Sequence, residues 1–118
     1  MTDWTAYPNF TEAEFTCRCG CGRADMDDHF MFALQNLRDR LGFPFPINSG
    51  YRCEDYNSRM GYTQTHATGK AADIGVSRDK ARMLVDEAGS FNGIGVKQKG
   101  GGRFIHLDTL DRVAMWSY

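Results

Sequence analysis

Apolar residues recur at helical spacing from Asp27 to Leu41, where Phe30, Leu34, Leu37 and Leu41 share one face and Gly42 with Pro44 stops the run. This predicts the main scaffold helix, with His29 at its start a surface residue. Upstream, Thr11 to Phe15 opens with T-E-A-E, a capping-box pattern that predicts a short helix. Pro46 to Tyr51 reads as a strand, EDYNSRM as a short helix ended by Gly61, and AADIGV as a short apolar strand. Ser77 is the expected cap of a second amphipathic helix carrying Ala81, Leu84, Val85 and Ala88, with Gly89 at its end. GIGVK and RFIHLD then predict two strands joined by QKGGG, whose three glycines suit a flexible hairpin loop. Val113 to Trp116 suits an edge strand, with Trp116 as a packing floor. The elements predict an α+β fold: a small, mainly antiparallel sheet covered on one side by two principal helices.

Composition narrows the function more than the fold. At 118 residues and 42% hydrophobic, the chain can bury one ordinary core, so residues 1–118 are expected to form one domain and a monomer. A net charge of -1, with no basic run interleaved with aromatics, argues against nucleic-acid binding. No stretch approaches the ~20 apolar residues of a membrane span. MTDWTAYPNF lacks the basic-then-apolar layout of a signal peptide, so the expectation is a protein made in the cytoplasm.

The candidate chemistry lies in two segments. His66 and Asp73 form an H-x6-D pair inside TQTHATGKAADIGV, and His106 follows inside RFIHLD. Two imidazoles and one carboxylate leave a tetrahedral Zn2+ one open position for water, the arrangement of a hydrolytic rather than a structural zinc. Gly69 permits a tight turn between the first two ligands, and Asp73 would ride on the following strand. Alternation along RFIHLD puts Phe104, His106 and Asp108 on one face. The plainer reading is a core histidine, a surface histidine and an unrelated carboxylate.

Cys17, Cys19 and Cys21 alternate in CRCGC, and Cys53 follows SGYR. An extended C-x-C-x-C run aims its sulfurs to one side, which suits a structural zinc closed by Cys53, although the usual C-x2-C spacing is absent. A disulfide involving Cys53 is as open a reading as the zinc, and free buried thiols are the plainer one. A cross-link of either kind would tie the N-terminal segment to the loop at Arg52.

SGYRCEDYN, THATGKAADI, GIGV and FIHLDTLDRVAMW occur in that order, and together they resemble the zinc D-Ala-D-Ala peptidase family, in particular the small peptidoglycan endopeptidase branch that includes phage lysins. The resemblance spans most of the chain, from EFTCRCGCG to Trp116. It implies the fold shared by D-Ala-D-Ala carboxypeptidases and the hedgehog signalling domain. It implies that His66, Asp73 and His106 bind zinc, that Arg52 holds a substrate carbonyl or carboxylate, and that the substrate is a peptidoglycan peptide.

Two positions depart from the family pattern. Gln64 stands where many relatives have serine, and Arg103 stands where several branches place the acidic general base. Arg103 cannot accept a proton, so Asp108 is the candidate base and Glu54 the runner-up. An ion pair with Arg112 or Arg103 is the alternative role for Asp108, and a helix-start carboxylate the alternative for Glu54. The expected activity is hydrolysis of stem peptides or their cross-links by a phage endolysin released onto the wall. A zinc-containing module that only binds is the alternative on the same scaffold.

Overall fold

The helix of the Phe30–Leu41 pattern runs over Asp28–Leu41 (α2) in a computed structural model that describes residues 2–118. Asp27 caps it by accepting from the Phe30 N–H, and Gly42 ends it in the left-handed conformation at φ 75°. Before it, Glu12–Phe15 (α1) carries the capping box in full, Thr11 and Glu14 exchanging side-chain to backbone hydrogen bonds. EDYNSRM is the helix Glu54–Met60 (α3), which follows strand Ile47–Ser49 (β1) and ends at Gly61.

The second amphipathic helix, Asp79–Asp86 (α4), differs from expectation at both ends. Ser77 does not cap it. The chain turns at Arg78, which holds φ 56°, and the Arg78 N–H goes to the Gln98 side chain, so the helix starts later. It ends at Glu87 rather than Gly89, although Ala88 still reaches the core.

Five strands form one sheet in the order β1-β2-β4-β3-β5, where β2 is Ala71–Ile74, β3 Gly93–Lys97, β4 Phe104–Asp108 and β5 Ala114–Ser117. All pairings are antiparallel except β3 with β5. Because side chains alternate across a strand, the sheet has two unlike faces. Ala72, Ile74, Ile105 and Leu107 are fully buried in one core with Phe30, Leu34 and Leu37 of α2 and Ala81 and Leu84 of α4. The helices thus cover one face, as the apolar pattern requires.

The opposite face carries the polar residues in register. Ser49 pairs with Asp73, Asp73 with His106, His106 with Gly95, and Gly95 with Trp116, which makes one row across the sheet. The next row runs Ala71, Asp108, Gly93, Ala114, so Asp108 has small residues on both sides. Among the described residues no helix is long and apolar enough to cross a membrane.

Candidate metal centre

His66 comes to this row from a 3-10 turn, Thr65–Thr68, that Gly69 terminates at φ 75°. A side chain at Gly69 would strike the Asp25 carbonyl oxygen, and the Gly69 carbonyl accepts from the Asp27 N–H at 2.8 Å. Glycine there both turns the chain and lets it pass close to the start of α2.

The donor atoms of His66, Asp73 and His106 all lie within 4.8 Å of one another, and all three residues are buried. His66 Nδ1 stands 2.8 Å from the Gly50 carbonyl oxygen and donates its proton there. Its Nε2 stands 3.5 Å from Asp73 Oδ1. His106 Nδ1 is 3.0 Å from the same Asp73 oxygen, while Nε2 faces Asp108 Oδ2 at 2.8 Å. One carboxylate oxygen therefore sits between two imidazoles. The donor set fits Zn2+: borderline nitrogen and oxygen ligands, converging from two strands and a turn, with one tautomer fixed by a backbone carbonyl.

Charge follows the same geometry. Burial works against an ionised Asp73, but hydrogen bonds from His106 and His66, and their charge, outweigh it and bring the carboxyl down to about 2. Burial likewise works against a charged His106, yet the hydrogen bonds to Asp108 and Asp73 prevail and raise its pKa. A carboxylate at each ring nitrogen thus favours the charged form of His106.

Asp108 does not face the cleft. Its side chain is fully buried, and besides His106 it accepts from Arg112 Nη1 and Nη2 at 2.7 and 3.0 Å and from the Leu110 N–H at 3.2 Å. The contact with Arg112 is the alternative that the sequence left open, and it occupies the oxygens a proton acceptor would need. Burial disfavours its charge, but these partners hold Asp108 far below the usual carboxylate range. Arg103 points away as well, its Nε donating to the Gly100 carbonyl at 3.0 Å.

A cleft of about 600 Å³ opens over the three ligands, walled by Arg52, Tyr62, Thr63, Thr65, Phe104, Trp116 and Tyr118. A second hollow, lined by Glu14, Arg18 and Asn48, shares Arg52, Tyr62, Asp73 and Phe104 with it, so one groove runs across the centre. Arg52 Nη2 is 3.9 Å from Asp73 Oδ2, and its guanidinium lies 4.7 Å from the centre of the Tyr62 ring. Arg52 Nε is buried without a hydrogen-bond partner.

A protein-family model described as Peptidase M15 matches residues 8–108. The chain belongs to the peptidase M15 family. Comparison with curated proteins returns no match. For an M15 peptidase, a peptide substrate and a zinc-dependent metallopeptidase activity follow from the family, and the His66, Asp73, His106 set is a possible site for that zinc.

Other expected residues lie elsewhere. Glu54 is in the first turn of α3 and lines a hollow beside Cys19, Cys21 and Cys53, not the cleft. CRCGC is a turn rather than an extended run, and all four cysteines are free. Gln64 is exposed and its side chain bonds back to Asn57 and Ser58 of α3. Sequence reading passes over Gly93 and Gly95. A side chain at Gly93 would strike the Asp108 carboxylate, and one at Gly95 would meet the Trp116 indole at 2.7 Å. The signal is present in the G-x-G of β3, whose period of two places both glycines on the polar face.

Proposed function

We propose that this M15 peptidase cleaves peptide bonds of peptidoglycan, in stem peptides or cross-links, and acts as a phage endolysin that reaches the cell wall on release from the cytoplasm. The observation that carries the reading is the convergence of His66, Asp73 and His106 beneath a groove whose wall includes the Arg52 guanidinium. The peptidoglycan substrate and the endolysin setting rest on the resemblance of the four sequence blocks to the small endopeptidase branch.

His66 Nε2, Asp73 and His106 Nδ1 would hold the zinc. When bound, the metal supplies Lewis acidity, bringing water toward nucleophilic strength near neutral pH and polarising the scissile carbonyl. The protein's own residues do the rest of the positioning. Gly50 fixes the His66 tautomer, and Asp108 fixes the ring of His106. Arg52 offers charged donors to the substrate carbonyl or to a neighbouring carboxylate as negative charge develops. Tyr62, Trp116 and Tyr118 supply flat walls that exclude water from a bound peptide. The groove continues on the far side of Arg52 and Asp73, which suits an extended chain and favours cleavage within a peptide over trimming of its terminus.

One observation favours a second reading. Among the described residues the only carboxylate lining the cleft is Asp73, a ligand itself, so no separate general base stands over the centre. A zinc-containing module that binds wall peptides without cutting them accounts for that. Mass spectrometry of muropeptides incubated with the zinc-loaded protein decides between the two. Products whose masses match a hydrolysed D-Ala-D-Ala, diaminopimelate or L-Ala-D-Glu bond identify both activity and bond, whereas intact muropeptides with zinc bound leave the binding module as the account.

A further inference from the structure

Cys17, Cys19, Cys21 and Cys53 bring four sulfurs within 4.8 Å of one another, beside a hollow that includes none of His66, Asp73 and His106. The sulfurs of Cys17 and Cys19 are 3.4 Å apart, those of Cys19 and Cys53 3.6 Å, and those of Cys17 and Cys53 3.8 Å. A disulfide would draw one pair together and leave the third sulfur aside. A triangle of near-equal edges is instead what a single central ion imposes: zinc bound at ~2.3 Å by four tetrahedral thiolates sets their sulfurs about 3.8 Å apart. We infer that the four cysteines form a second, structural Zn2+ site, separate from the histidine centre.

The backbone is shaped for it. Gly20 and Gly22 take φ 91° and 76°, which folds CRCGC into a turn, and the Cys17 N–H closes that turn on the Arg23 carbonyl at 2.8 Å. Three thiols are thereby wrapped around one point, and the fourth arrives from the start of α3. The Cys53 N–H points at Cys17 Sγ and the Tyr56 N–H at Cys53 Sγ, both at 3.4 Å, so the sulfurs meet the donors that thiolates accept from. On binding, each thiol gives its proton to solvent, and the site closes with no position open for water.

The site would clamp the segment that serves the histidine centre. Cys53 follows Arg52 directly, and Gly50, three residues before Cys53, holds His66 by its carbonyl. The N–H groups of Tyr51 and Arg52 in turn bond Phe15 and His66. Zinc on the cysteines therefore ties the N-terminal turn to the loop that positions Arg52 and the His66 tautomer.

The test is metal stoichiometry in the purified protein. Wild type should hold two zinc ions per chain, and a His66→Ala, His106→Ala variant should keep one. Exchange of that remaining ion for cadmium should give the ultraviolet thiolate-to-cadmium charge-transfer absorption. Cys21→Ser changes an exposed residue and spares the core, and it should lower affinity for the second zinc at least tenfold while the histidine zinc stays. The proposal falls if the double histidine variant is folded by circular dichroism yet free of metal, or if its cadmium form lacks the band. Peptide mapping of the freshly purified chain that finds a disulfide to Cys53 also overturns it. Failure to cut muropeptides leaves this site standing, and loss of this site leaves the histidine centre to be judged by its own zinc.

Discussion

Asp108 Oδ2 lies 2.8 Å from His106 Nε2, at the ring edge opposite the one that meets Asp73 at 3.0 Å. The relationship makes Asp108 a brace. A metal-binding histidine that donates its other N–H to a carboxylate is held in one tautomer and one orientation. Arg112 keeps that carboxylate charged while it is buried, which a lone aspartate there would resist.

Asp108→Asn is therefore expected to weaken zinc binding about 10–100-fold, the usual effect of removing such a partner. Turnover at saturating zinc should return to within a few-fold of wild type, because no proton passes through Asp108 on this reading. Zinc titration beside a muropeptide assay at high zinc separates the two quantities. A variant that binds zinc normally and loses turnover by ~100-fold would make Asp108 the general base after all.

Arg52→Ala should do the reverse. Its guanidinium lines the groove and stands 3.9 Å from Asp73 Oδ2, the oxygen away from the two imidazoles, so zinc content should hold while turnover falls on the order of 100-fold, the scale of one lost electrostatic donor. Arg52→Lys should recover part of that loss, since charge returns without the planar fork. Full activity in Arg52→Ala would remove the residue from the substrate groove's working parts.

The grouping of His66, Asp73 and His106 is legible in the sequence because each residue sits in its own local motif: a glycine-terminated turn for His66 and alternating strands for Asp73 and His106. The helices are legible for a similar reason, as the capping box at Thr11 and the stops at Gly42 and Gly61 are local signals. The role of Asp108 is not local. Facing the same side as His106 is a property of one strand, but having Gly93 on one flank and Arg112 at its oxygens depends on which strand lies next to β4 and how the chain returns. Ser77 misleads because the conformation of Arg78, set by a bond to Gln98 in a distant loop, overrides the local capping preference. CRCGC misleads in another way, since alternation suggests an extended run while Gly20 and Gly22 fold it into a turn.

Gly95 lies between His106 and Trp116 in the row of the centre, and the indole packs onto its bare backbone. Gly95→Ala should push Trp116 out of the groove wall, because a methyl group there meets the ring at 2.7 Å. The expected cost is about 1–3 kcal/mol, as for other overpacked positions, with a shift in tryptophan emission. Zinc content should hold. Unchanged melting and unchanged fluorescence would show that β5 moves freely to accommodate the methyl, and that Trp116 is no fixed wall.

The remaining prediction concerns pH, and its sign follows from the two carboxylates that flank His106. In the metal-free protein the raised pKa of His106 contributes stability that is fully present below the ordinary value of 6.5 and is lost as pH rises through the higher folded value. Asp73, brought down to about 2, contributes stability that is present above its ordinary 3.8 and is lost as pH falls through the lower value. The metal-free centre is therefore most stable between about pH 4 and pH 6.5. Zinc takes His106 Nδ1 in its unprotonated form, so binding displaces a proton and strengthens as pH rises. The gap in melting temperature between zinc-loaded and chelated protein should then widen steadily from about pH 6 to about pH 8.5. The same scan on the His66→Ala, His106→Ala variant subtracts whatever the cysteines contribute. A difference that stays flat or narrows over that range would mean that His106 gives up no proton to the metal, and the ligand assignment at Nδ1 would have to be abandoned.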